Sequence, residues 1–118
     1  MFGDISSVEH IYIACGHTDM RKSIDGLCFL VQQKFKMDPF DKSLFLFSGR
    51  KHDRLKALLF EGDGFVLLYK RLENGKFQWP DTPEEVLDLS RQQLRWLLEG
   101  LCINQPKAVK KITSKSCI

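Results

Sequence analysis

Apolar and polar positions are most tightly patterned between Ser48 and Pro80, in the run SGRKHDRLKALLFEGDGFVLLYKRLENGKFQWP. Asp63-Gly64 and Asn74-Gly75 each lie between apolar, strand-like stretches. Such dipeptides favour two-residue hairpin turns because both central positions require positive φ. The pattern therefore predicts three consecutive strands in a meander. Counting outward from the turns makes Leu58 face Tyr69, Lys56 face Arg71, Leu72 face Phe77 and Arg71 face Gln78. Because strand side chains alternate, this register separates two faces. One carries Leu55, Ala57, Leu59, Val66, Leu68, Leu72 and Phe77, interrupted by Lys70 and bordered by Trp79. The other carries Arg54, Lys56, Phe65, Tyr69, Arg71, Lys76 and Gln78.

Elsewhere the periodicity changes. His10 to Cys15 reads as a short strand, Gly16-His17 as a turn, and Thr18 or Asp19 as the cap of a helix from about Met20 to Phe35. Ile24, Leu27, Cys28, Val31 and Phe35 recur at helical spacing and predict one buried stripe. Gly26 within it costs about 1 kcal/mol relative to alanine and suggests a close approach by another element. Ser43 to Phe47 is a strand whose unbroken apolar run predicts cover on both sides. Ser48 to Asp53 is a polar loop. Val86 to Leu89 reads as a short extended segment, with a helix capped near Thr82-Pro83 as the competing assignment. Ser90 and Gln93 fit a capping box, with Leu89 and Leu94 as its hydrophobic staple. Leu94, Leu97, Leu98 and Leu101 then form a buried stripe that ends near Gly100.

The 118 residues fit one domain with its own core. No apolar run approaches the roughly 20 residues that cross a bilayer, and the N-terminus, with Asp4 and Glu9, does not resemble a signal peptide. The chain is therefore expected in the cytoplasm, away from membranes. Cys15, Cys28, Cys102 and Cys117 form no CxxC pair, so they are expected to be reduced thiols, with no structural zinc or disulfide framework. Cys15 and His17 are the one close sulfur and imidazole pair, a half-site at most. No metal or other cofactor is expected.

Net charge is only +3, so its distribution matters more than its size. Met1 to Asp19 holds three acids and no Lys or Arg, whereas Met20 to Leu58 holds nine bases against four acids. The end of the chain carries Lys107, Lys110, Lys111 and Lys115 without an acid. Like charges facing each other weaken a sheet, so Lys56 opposite Arg71 calls for an explanation outside strand stability, which a polyanion on that face would supply. Solvation alone explains some charge on an antiparallel sheet, but Tyr69 and Phe65 beside the cations also suit stacking on bases. The candidate DNA-binding residues are Arg21, Lys22, Arg50, Lys51, Arg54, Lys56, Tyr69, Arg71 and Lys76. A catalytic reading finds little support. His52, Asp53, Glu61 and Asp63 are close in sequence, but they supply no assignable carboxylate set for metal-assisted phosphoryl transfer. Phosphate loops, nucleophile elbows and paired helical histidines are absent from the sequence. No catalytic residue is therefore assigned.

Several motifs in order resemble one known family. These are Asp19-Met20-Arg21-Lys22 with Gly26-Leu27, Asp38-Pro39-Phe40, Phe45-Leu46-Phe47, Arg50 through Lys56, Gly62-Asp63-Gly64-Phe65, and Arg71 through Pro80. Together, from Ile11 to Leu101, they resemble the small accessory protein of bacterial insertion-sequence-66 elements, the TnpB or Orf2 family. The resemblance implies a non-catalytic helper of transposition, encoded beside a separate and larger transposase. It supplies no catalytic residues. Phe60 stands where similar sequences often carry tryptophan, and the lysine-rich tail lies outside the shared pattern.

The expectation is thus a single α+β domain over residues 1–103 with a mostly antiparallel sheet of about five strands. One helix follows the first strand, a C-terminal helix packs on the sheet, and residues 104–118 form a mobile basic tail. The partner is DNA, met by the basic sheet face. The alternative is a module that binds the transposase, with the Tyr69 face meeting an acidic region and DNA contact incidental.

Overall fold

The protein is described from a computed structural model covering residues 5–82 and 85–105. Five strands form one sheet: β1 (His10–Ala14), β2 (Ser43–Ser48), β3 (Arg54–Phe60), β4 (Phe65–Arg71) and β5 (Val86–Leu89). Their order across the sheet is β4-β3-β2-β1-β5. β1 and β2 run parallel, and every other neighbouring pair is antiparallel. A parallel pair needs a crossover. Helix α1 (Ile24–Gln33) supplies it, and helix α2 (Arg91–Leu98) follows β5. This is the expected α+β architecture.

β2 lies at the centre of the sheet, with all six residues buried. Its two faces feed two cores. On one side Ile11, Ile13, Leu44, Leu46, Leu55 and Ala57 pack with Leu94 and Leu97 of α2 and with Phe77 and Trp79. On the other, Phe45, Phe47 and Leu58 pack against Leu27 and Val31 of α1. Each fully buried leucine contributes about 1.5–3 kcal/mol relative to exposure. The sheet is therefore covered on both faces. The face carrying Lys56 and Tyr69 is not an open basic surface, because α1 covers much of it. Leu58 is fully buried there, and Phe65 and Leu67 are half-buried.

The meander is a single hairpin. β3 and β4 pair with Lys56 opposite Tyr69, Arg54 opposite Arg71 and Leu58 opposite Leu67, two residues away from the expected register. The connection has four residues rather than two. Phe60 faces Phe65 across it, and the Glu61 amide donates to the Gly64 carbonyl at 2.8 Å. Positive φ falls on Gly62, at 96°, instead of on Asp63 and Gly64. A shift of two residues preserves side-chain parity, so the division into faces stands although the facing pairs change.

The third strand is absent. Gly75 does turn the chain with φ 77°, but the Leu72 amide then donates to the Asp53 carbonyl and the Phe77 amide to the His52 carbonyl, each at 2.7 Å. Neither Leu72 with Phe77 nor Arg71 with Gln78 forms a pair. Phe77 and Trp79 are both buried, and the Trp79 indole donates to the Ala14 carbonyl at 2.9 Å. Burying two large rings beneath β1 and β3 outweighs continuing a ladder at the sheet's edge.

Helix boundaries also depart from expectation. α1 begins at Ile24, after an N-cap Ser23 whose side chain makes no capping bond, because residues 19–22 form a separate turn closed by the Lys22 amide on the Asp19 carbonyl. Its stripe is as expected, with Leu27 and Val31 buried and Ile24, Cys28 and Phe35 packed at the margin. The close neighbour of Gly26 is Lys22, whose Cβ lies 3.2 Å from where a Gly26 Cβ would stand. In α2 the capping box is complete. Ser90 Oγ accepts from the Gln93 amide at 3.0 Å, and Gln93 Oε1 accepts from the Ser90 amide at 2.8 Å. Leu89 and Leu94 are both buried. Leu101 is 41% exposed rather than part of the stripe, because Gly100, with φ 84°, has already ended the helix.

Cys15 and Cys28 are free, and burial pushes the Cys15 thiol up to about 11. Cys117, also expected as a reduced thiol, lies outside the described residues. Val86–Leu89 is the extended segment expected, strand β5, rather than the helix considered after Thr82-Pro83, and the lysines of the tail lie outside the described residues.

Candidate nucleic-acid interface

Two loops at one end of the sheet build a cleft. The first follows β1, where Gly16 with φ 76° turns the chain outward. The second joins β2 to β3. The Thr18 amide donates to the Ser48 carbonyl at 2.7 Å, so the loops are stitched together at their base. Gly49 permits the close approach that follows. A Cβ there would stand 2.7 Å from Met20 Cγ, closer than side chains tolerate.

The second loop is held from behind. His52 adopts φ 57°, its amide donates to the Gly49 carbonyl at 3.0 Å, and its ring stacks on Trp79 at 6.3 Å between centroids. Ser48 Oγ donates to the Arg54 carbonyl at 2.7 Å. Its only hydrogen is thus committed, which makes His52 Nδ1 the donor in their 3.3 Å contact. Burial lowers the His52 pKa, with His17 and Lys76 acting in the same direction and Asp81 opposing them, so the ring is neutral at neutral pH.

The resulting cleft has a volume of about 560 Å³ and is lined by Arg21, Arg50, Lys51 and Arg54, with His17, Asp19 and Asp53. Four of the nine candidate residues therefore converge on one concavity. All four are exposed. Arg21 is oriented by Asp19 through a two-point contact, with Nε to Oδ1 at 3.0 Å and Nη2 to Oδ2 at 2.8 Å. Those side-chain bonds, joined by the Arg21 amide, hold the Asp19 carboxyl well below the usual carboxylate range. Four fixed cations against two carboxylates leave the cleft positive, with planar guanidinium forks suited to phosphate oxygens.

The remaining candidates divide. Lys56 is half-buried and spends its ammonium on backbone, donating to the Met20 carbonyl at 2.7 Å and the Lys22 carbonyl at 2.8 Å. It also lies 5.6 Å from the Tyr69 ring centroid. Lys56 therefore ties the first loop to β3 and props Tyr69, which is 53% exposed. Lys22 accepts at its carbonyl while its stem lies beside Gly26. Arg71 faces Arg54 across the hairpin and pairs with Glu73 at 3.1 Å, which offsets the like charges. Lys76 is exposed on the turn beyond β4, apart from the cleft lining.

The residues weighed for catalysis are split between the two ends of β3. Asp53 lines the cleft, whereas Glu61 and Asp63 belong to the hairpin loop, about 20 Å away at the usual rise of a seven-residue strand. Among the described residues no group of three or more His, Cys, Asp or Glu side chains is arranged to hold a metal ion. No helix among them is long and apolar enough to cross a membrane.

Sequence reasoning missed the cleft itself and its uncharged walls, Thr18, Met20 and Gly49. The Ser48-Gly49-Arg50 run that ends an apolar strand was the available signal. It also missed an aromatic cluster at the other end of the hairpin, where Phe40, Phe60 and Phe65 place their ring centroids 5.0–5.1 Å apart and Phe40 is 54% exposed.

Among proteins of known sequence, the chain is similar to the uncharacterized protein y4hO of Sinorhizobium fredii, 39% identical over 97 residues that cover 82% of this chain and 84% of that one. It is also similar to the uncharacterized protein y4jC of the same organism, 33% identical over 91 residues covering 77% and 78%. No solved structure matches it. Residues 9–108 match the family described as IS66 Orf2 like protein, a family of transposition accessory proteins rather than known enzymes. A match over that span, with relatives aligned along most of their own length, means that the chain belongs to the IS66 Orf2-like family.

Proposed function

We propose that this protein assists transposition without catalysing it, by holding DNA in the cationic cleft between the β1–α1 and β2–β3 loops. The observation that carries the reading is the convergence of Arg21, Arg50, Lys51 and Arg54 on one concavity beside an exposed tyrosine. Cations gathered this way neutralise phosphates, which dominate protein affinity for DNA and fix its position without reading sequence. The basic sheet face expected from the sequence gives way to a cleft at its margin, because α1 covers much of that face and Lys56 is engaged with backbone. Separation of the acidic residues along β3 favours a non-catalytic role, with strand chemistry left to the transposase.

The test is a set of binding titrations of labelled DNA against the full chain across salt concentrations. Removing the cation that neutralises one phosphate should lower the slope of log affinity against log salt by about 0.7–0.9. Arg50→Ala with Arg54→Ala should weaken binding and flatten that slope while leaving the melting temperature nearly unchanged. An unaltered slope would remove the cleft from consideration.

A second reading, docking to the transposase, draws on the half-exposed Phe40 and its Phe60 and Phe65 neighbours, an apolar cluster outside the cleft. Tyr69 and its cations could equally meet an acidic segment of that partner. Co-purification with the transposase in high salt after nuclease treatment would favour this reading.

A further inference from the structure

The cleft's shape and its neighbours distinguish one DNA strand from two. Its cations come from the β1–α1 loop, the β2–β3 loop and the first residue of β3, and they line one concavity of about 560 Å³. A duplex is stiff over about 50 nm and carries its phosphates on its outer surface, so it can rest on the rim but cannot enter. A single strand bends freely and can place its backbone between the walls.

The helices point the same way. α1 contains no Lys or Arg, and the basic residues of α2, Arg91 and Arg95, belong to an element on the opposite face of the sheet. Neither helix offers the cation-bearing surface that enters a major groove from the cleft side.

Tyr69 supplies what a single strand needs in addition to charge. The residue is 53% exposed, and Lys56 holds its ring through a cation–π contact at 5.6 Å. The same ammonium bonds the carbonyl of Met20, which lines the cleft, so one side-chain terminus separates the ring from the phosphate site. Arg71, opposite Arg54 and two residues from Tyr69 on the same strand face, lies between them with Glu73 paired to its guanidinium. Stacking requires a base that is not already stacked and paired, which single strands provide and duplexes do not. A propped ring also loses little freedom on binding.

We infer that the site takes single-stranded DNA, with backbone phosphates among Arg21, Arg50 and Arg54 and a base stacked on Tyr69. This inference rests on the DNA reading above. Full-length protein is titrated by fluorescence anisotropy with a labelled single strand of about 15 nucleotides, within the span a single binding fold covers, and with the duplex of the same sequence. One stacked base corresponds to roughly a 5- to 150-fold gain, so the single strand should bind more tightly by about that factor. Tyr69→Ala should remove most of the preference and leave duplex binding unchanged, whereas Tyr69→Phe should retain it. Equal affinity for both probes, with Tyr69→Ala silent and Arg50→Ala with Arg54→Ala still weakening both, overturns the single-strand inference and leaves the DNA reading standing. Binding of neither probe overturns the DNA reading, and this inference with it.

Discussion

A cation on a strand can face solvent or serve the fold, and Lys56 serves the fold. Its two bonds to the Met20 and Lys22 carbonyls are charge-assisted and part-buried. Hydrogen bonds to charged groups contribute about 1.5–3 kcal/mol, and carbonyls left without a donor incur a further cost. Lys56→Met is therefore expected to lower stability by about 2–3 kcal/mol in urea unfolding, while exposed Arg54→Ala stays within about 0.5 kcal/mol. Equal small losses would mean that water replaces the ammonium. His52 yields a pH-dependent outcome. Burial depresses its folded pKa below the ordinary value near 6.5, so below that pH the unfolded chain binds the proton first. The stabilisation is present above about pH 6.5 and is lost as pH falls toward the folded pKa. His52→Asn, which tolerates positive φ but does not titrate, should unfold with a shallower loss of stability between about pH 7 and pH 5. Identical pH profiles would contradict that account.

At the scale of elements, local signals proved readable where they were self-contained. The Ser90 and Gln93 box lies within four residues, and its two reciprocal bonds form as the sequence implies. Ser90→Ala should cost about 1 kcal/mol in the same unfolding assay. The segment after β4 shows the opposite case. Asn74-Gly75 announces a turn, but whether a strand follows depends on what Phe77 and Trp79 find to pack against, and they find the core beneath β1 and β3. Trp79→Phe keeps an aromatic ring but leaves the Ala14 carbonyl unpaired, so a loss of about 1–3 kcal/mol is expected, against almost none for exposed Gln78→Ala. Comparable melts for the two variants would show that the segment is merely draped over the core. The α1 boundary was misplaced for a related reason. Asp19 has the chemistry of a cap, but it engages the Arg21 guanidinium and amide instead.

The whole molecule distributes positive charge between the cleft and the C-terminal lysines, and the two can be separated in the full chain. Replacing Lys107, Lys110, Lys111 and Lys115 by Gln removes the tail's charge, and Arg50→Ala with Arg54→Ala removes half of the cleft's fixed cations. If the cleft holds DNA, the cleft variant should lose both affinity and probe preference, while the tail variant loses affinity uniformly across probes and lowers the salt slope by about 0.7–0.9 per phosphate it had neutralised. A tail variant that abolishes binding beside a silent cleft variant would assign the electrostatics to the tail.

The sequence by itself determined the class of the fold, the two amphipathic helices, the central buried strand, the division of β3 and β4 into two faces, and the family resemblance. Periods of two and 3.6 residues, caps and glycine turns are local properties that survive without knowledge of neighbours. Register is different. Moving positive φ from Asp63-Gly64 to Gly62 shifted every facing pair by two residues, and no local pattern distinguishes the two loops. The site was legible as a set of residue types and not as a place. Arg21 lies far in sequence from Arg50 and Arg54, and what unites them is the Thr18–Ser48 bond and the Gly49–Met20 approach. Lys56 looked like a phosphate ligand because sequence shows charge, whereas the two carbonyls that claim it belong to a loop brought there only by the parallel pairing of β1 and β2. Which face is open, which cation is available and where the cleft lies are set by long-range packing, and only the tertiary structure decided them.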